Sequence, residues 1–125
     1  MNESSFLNID LDLESEHDLR PLAQAWGDDV CVFRLDNDDG VWRGSFETME
    51  EDAEQIIDKY HQLVTKLSPP LRALWDSAHQ RVFDIGFQSG AEPRLYRSVL
   101  SAQAISKIEE MGGSIAVSIY ANNDN

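Results

Sequence analysis

Thr48–Leu67, TMEEDAEQIIDKYHQLVTKL, is the longest stretch of the chain with a single unbroken periodicity. Met49, Ala53, Ile56, Ile57, Tyr60, Leu63, Val64 and Leu67 recur at steps of three and four, which lays an apolar stripe along one side of an α-helix. Thr48 and Glu51 have capping-box spacing, so the pattern predicts a helix opening at Thr48. Glu50, Glu51, Asp52 and Glu54 fill the early turns and Lys66 the last, an order that complements the helix dipole. Ser68-Pro69-Pro70 ends it, because the residue before a proline is pushed out of helical geometry. Glu50, Glu54 and Asp58 then form a ladder at i, i+4 and i+8, and like charges at that spacing cost about 0.2–0.5 kcal/mol per pair. The ladder is either a solvated face or an acidic ridge that docks a basic partner. On the second reading the partner-contacting residues are Glu50, Glu54 and Asp58, with Asp38 and Asp39 upstream.

Working outward toward the N-terminus, residues 30–46 read as a β-hairpin, Val30 to Leu35 and Val41 to Phe46, turned at Asn37-Asp38-Asp39-Gly40. Pairing Asp36 with Val41 puts Leu35 opposite Trp42, Phe33 opposite Gly44 and Cys31 opposite Phe46, all on one side of the ribbon. Arg34 then faces Arg43, a like-charge pair that neighbouring acids such as Asp10 or Asp12 must relieve. Ahead of the hairpin, residues 18–26 carry an apolar face of Leu19, Leu22, Ala23 and Trp26. Pro21 is tolerated there in the first helical turn. At the start, Leu7, Ile9, Leu11 and Leu13 alternate with Asn8, Asp10, Asp12 and Glu14, the period of a half-buried strand.

Toward the C-terminus, Ser68 and Pro69 open a short helix with Leu71, Leu74, Trp75 and Ala78 inward. Arg81 to Gln88 is a strand with Phe83, Ile85 and Phe87 on one side. Arg94 to Val99 reads as a short strand after the loop Ser89–Pro93. Ser101 caps a last helix carrying Ala102, Ile105, Ile108 and Met111, and Ile115, Val117 and Ile119 alternate in a final strand. The element order implies an α+β fold: a single, mainly antiparallel sheet with helices packed on one face, ferredoxin-like with additions. The other face is then open and carries Asn8, Asp10, Asp12, Arg34, Arg43, Asp84 and Tyr120.

A length of 125 residues and 42% apolar composition fit a single domain with its own core, residues 1–5 and 122–125 being expected to fray. One cysteine leaves no internal disulfide framework and fits a reducing, cytoplasmic setting. No apolar run is long enough to span a bilayer. The net charge is −13 and it is lopsided. Residues 1–58 hold 17 acids and 3 arginines; residues 59–125 hold 6 acids and 7 lysines and arginines. Such a surface disfavours nucleic acid and anionic membrane and favours a basic protein.

The motifs of chemistry are not met. Asp36-Asn37-Asp38-Asp39-Gly40 has the wrong register for a calcium loop, since Gly40 at its sixth position puts Leu35 at the first and Phe46 at the twelfth. His17, His61 and His79 are scattered, and no metal or cofactor is expected. Cys31 reads as a small core residue. In Gly86-Phe87-Gln88-Ser89-Gly90 the serine stands one place too late for a nucleophile elbow. Asp84 with Asp10 or Asp12 has the composition of a carboxylate pair for acid–base work, but nothing in the pattern sets it apart from polar groups on a solvated face.

The opening alternating strand, the hairpin with Val41-Trp42-Arg43, the helix running into Leu71-Arg72-Ala73-Leu74, and Leu100-Ser101 leading to a strand ending Ile119-Tyr120 resemble a bacterial family of small proteins, the domain of unknown function 4279 family. The resemblance covers residues 6–121 and brings no active site with it. Small acidic bacterial proteins of this kind often sit beside toxin genes as immunity proteins. The functional expectation is therefore a non-enzymatic interaction module for a basic partner. The alternative is a small-molecule site or enzyme on the open sheet face, built from Asp10, Asp12, Arg34, Arg43, Asp84 and Tyr120.

Overall fold

The computed structural model describes residues 3–122. The elements are β1 (Ser5–Ser15), α1 (Arg20–Trp26), a 3-10 turn (Gly27–Asp29), β2 (Val30–Asp38), β3 (Val41–Thr48), α2 (Ala53–Thr65), α3 (Pro69–Asp76), β4 (Gln80–Gln88), α4 (Ala102–Glu110) and β5 (Ser114–Tyr120). One five-stranded sheet has the order β2-β3-β1-β4-β5. The pairs β2/β3, β1/β3 and β1/β4 are antiparallel, and only β4/β5 is parallel. The first four strands therefore have the ferredoxin-like arrangement, a split βαβ followed by its second half. To it α3 is added in the second crossover, and α4 carries the chain to the extra strand β5. The α+β fold with a single sheet is as the sequence implies.

The helices all cover the same face. Leu19, Leu22 and Trp26 around α1, Ile56, Ile57, Tyr60, Leu63 and Val64 of α2, Trp75 of α3, and Ala104, Ile108 and Met111 of α4 form one core with Ile9, Leu11, Leu13, Phe46, Phe83 and Ile85 of the sheet. Trp26 is its hub, with edge-on ring contacts to Phe46, Tyr60 and Trp75. Trp75 Nε1 donates to the Met111 carbonyl at 2.9 Å, which ties α3 to the end of α4. No helix among the described residues is long and apolar enough to cross a membrane.

Four local expectations change. The long helix does not open at Thr48, which is buried at the end of β3 opposite Val30. Its N-cap is Asp52, whose carboxylate accepts from the Gln55 N–H at 3.2 Å. A β-branched threonine serves a strand end well and aspartate serves equally as a cap, so strand pairing decides between them. Met49 is left outside the stripe and is 57% exposed.

The hairpin register also differs. Asp38 pairs with Val41, so the turn is the two-residue Asp39-Gly40, both at positive φ (55° and 84°) as a primed hairpin turn demands. Asp36 then stands opposite Arg43 and Arg34 opposite Ser45, in place of the arginine–arginine pair. A bulge between Val32 and Arg34 shifts the register again and reverses which side faces the core. Cys31 consequently lies opposite Glu47, exposed and away from the core.

Arg94 to Val99 is not a strand; the segment is irregular, anchored by the edge-on contact of Tyr96 with Phe87. Among the residues expected to fray, Met1, Asn2 and residues 123–125 lie outside the described part. The Ser4 N–H donates to the Glu92 carbonyl at 2.7 Å, and Ser5 opens β1.

Candidate functional site

The strand period that sends Ile9, Leu11 and Leu13 into the core sends Asn8, Asp10, Asp12 and Glu14 to the face that no helix covers. The register then brings Glu47 of β3 and Asp84 of β4 to the two sides of Asp10. Three carboxylates stand side by side across three adjacent strands, with Asp12 two residues along β1. Like charges in directly opposite positions repel. The neighbours soften this with hydrogen bonds alone. Asn8 Nδ2 donates to Asp10 (3.1 Å) and to Glu47 (2.8 Å). Ser45 Oγ donates to Asp12 (2.8 Å), and Ser118 Oγ to Asp84 (2.8 and 3.0 Å). Among the described residues no lysine or arginine forms a salt bridge with Asp10, Asp12, Glu47 or Asp84.

The consequence appears in the titration of Asp10. Partial burial, followed by the charges of Glu47, Asp12 and Asp84, raises its carboxyl from 3.8 to about 6. The group thus changes charge close to neutral pH, and a cation placed against it favours its ionised form.

Toward the hairpin end, the same face turns mixed in sign. Arg43 lies 3.7 Å from Glu14 and 3.9 Å from Asp38, and Arg34 Nε lies 3.0 Å from Asp36. Asp12, Glu14, Arg34, Arg43, Ser45 and Gln80 line a depression of about 220 Å³ there. That is smaller than the roughly 300–1,000 Å³ of ordinary small-molecule sites. Tyr120 is at the far end of the face, on β5 beside Gly86, and borders a separate hollow with Leu7 and Gln88. The six open-face residues therefore converge only in part: Asp12 shares the depression with Arg34 and Arg43, Asp10 and Asp84 lie beyond it along the face, and Tyr120 stands apart.

The ridge residues have different surroundings. Glu50 precedes α2 and is not on its ladder; its Oε1 is buried without a hydrogen-bond partner. Glu54 accepts from both the backbone N–H (2.9 Å) and the hydroxyl of Ser101, the N-cap of α4, and these bonds hold its carboxyl below the usual range. Asp58 takes the Lys107 ammonium at 2.8 Å, which lowers its carboxyl too. Both acids thus fasten α2 to α4. Asp38 meets Arg43, and Asp39 sits exposed in the turn.

Sequence reasoning missed Glu47, which stands one residue beyond the strand limit drawn at Phe46. The signal was present, because Arg43, Ser45 and Glu47 continue the alternation. Among the described residues no group of three or more His, Cys, Asp or Glu side chains is arranged to hold a metal ion. No protein-family model, no curated protein and no solved structure matches this chain.

Proposed function

We propose that this protein is a non-enzymatic interaction module that receives a basic segment of a partner protein on the open face of its sheet. The observation that carries the reading is the row Glu47–Asp10–Asp84, three adjacent carboxylates that no lysine or arginine salt bridge reaches among the described residues. Such a row stores repulsion that a lysine or arginine from outside relieves. The net −13 of the chain extends the attraction over a longer range and speeds encounter. The resemblance to the domain of unknown function 4279 family fits a small bacterial cytoplasmic protein. An immunity-protein-like role, with a basic toxin as the partner, is the finer form of the same reading.

An oligo-arginine peptide titrated into the labelled protein tests it by amide shift mapping. The expected changes lie on β1, β3 and β4 around Asp10, fade as salt rises, and are lost in Asp10→Asn with Asp84→Asn. Changes centred on the Asp38–Asp39 turn or on α2, unaltered by that double substitution, would sink the proposal.

A further inference from the structure

The two edges of the sheet are built differently. β2 carries Arg34, Asp36 and Asp38 and is broken by the bulge at Val32/Arg34. Charges and bulges of this kind keep an edge from pairing with other strands. β5, Ser114–Tyr120 (SIAVSIY), has no charged residue and no irregularity in its pairing with β4. Its apolar side chains are left open: Ile115 is 45%, Val117 58% and Ile119 69% exposed. The Ser89 N–H donates to the Tyr120 carbonyl, so Tyr120 and the residues two and four before it turn their backbone groups toward β4. The alternate residues Ile115, Val117 and Ile119 therefore aim their N–H and C=O groups away from the sheet.

We propose that two copies of this chain join through β5, antiparallel about a twofold axis at Val117, into one continuous sheet. The sequence of the strand is self-complementary in that register. Val117 meets Val117, Ile115 meets Ile119 on the apolar side, and Ala116 meets Ser118 and Ser114 meets Tyr120 on the other. Each of the outward-aimed residues then exchanges N–H···O=C bonds with its opposite number. Charge selects the second copy as the occupant. A strand with no charge offers nothing to a charged partner. In the joined sheet β4 and β5 of each copy stand between the two β1 strands, so pairing here keeps Asp10 and Asp12 of the two copies four strands apart. The apolar surface continues beyond the strand, where Tyr96 and Ser98 line a hollow of about 360 Å³ with Val117 and Ile119.

Sedimentation equilibrium of the full chain tests the proposal, with Val117→Pro and Val117→Lys beside the wild type. Proline removes only the outward N–H of an edge strand, a place where it is tolerated, and lysine sets two like charges at the axis. The wild type is expected at twice 14.1 kDa. Each variant is expected to weaken association at least about 100-fold while keeping the far-ultraviolet dichroism of the fold. If the proline variant unfolds, the lysine variant decides. Val32→Lys, on the opposite edge, is expected to leave the mass unchanged. A wild type that stays monomeric, a dimer that survives Val117→Lys in a folded protein, or assembly beyond the dimer would overturn the proposal.

Discussion

On α2, Glu54 and Asp58 are answered from within the chain, by Ser101 and by Lys107. On the open face, Asp10, Glu47 and Asp84 are answered by an amide and a hydroxyl and, among the described residues, by no lysine or arginine salt bridge. Both regions are acidic in sequence, and they act in opposite directions. The α2 carboxylates are held below their ordinary range and lend stability; Asp10 is raised and costs stability at neutral pH. Negative charge alone therefore says little about docking. What marks a surface is charge left unneutralised by its own fold.

The sharpest way to break this contrast is Glu54→Ala. It strips the Ser101 N–H and hydroxyl of their acceptor at the start of α4, and should cost about 1–2 kcal/mol at pH 7 in urea denaturation. Because the folded carboxyl is lowered from 4.5, its contribution is present above that pH and is lost as pH falls through the folded value. Variant and wild type should converge in acid; a cost that persists at pH 3 would assign the effect to packing.

Asp10→Asn should do the reverse. The folded carboxyl is raised from 3.8 to about 6, so folding favours the protonated form, and that advantage disappears as pH rises across the interval. Asparagine keeps the neutral form at every pH. With the group partly exposed and screened, the variant should gain about 1 kcal/mol at pH 7 and nothing below pH 4. A loss at pH 7 would mean that the ionised carboxylate is a structural member of the sheet.

Asp58→Asn gives the smallest effect. Asp58 is about half exposed and its partner Lys107 partly so, and solvent-screened pairs of this kind contribute about 0.2–1 kcal/mol, less at high salt. Thermal melts at low and high salt check this; a larger, salt-independent loss would show that the α2–α4 tie is more than a surface pair.

The broad architecture could be read from the sequence because it rests on local periodicity. The stripe Ile56, Ile57, Tyr60, Leu63, Val64 and the alternation of Ile9, Leu11, Leu13 each decide an element and its buried side. The details that failed depend on contacts distant in the chain. Whether Thr48 caps a helix or ends a strand is settled by Val30 across the hairpin. Whether Cys31 faces the core is settled by a single extra residue in β2. The open face with Asp10, Asp12 and Asp84 followed from alternation alone. The row through Glu47 did not, because it requires the strand order β3-β1-β4 and its register. The pairing of Glu54 with Ser101, 47 residues away, leaves no local trace.

Whether the open face carries charge that its own fold leaves unneutralised is read most directly by a carbon NMR titration of the Asp10 carboxyl, alone and with the oligo-arginine peptide. A midpoint near 6 is expected in the free protein, with a clear fall when the peptide is bound. A midpoint near 3.8 that the peptide does not move would contradict that expectation, and would return the acidity of the open face to a role in solubility.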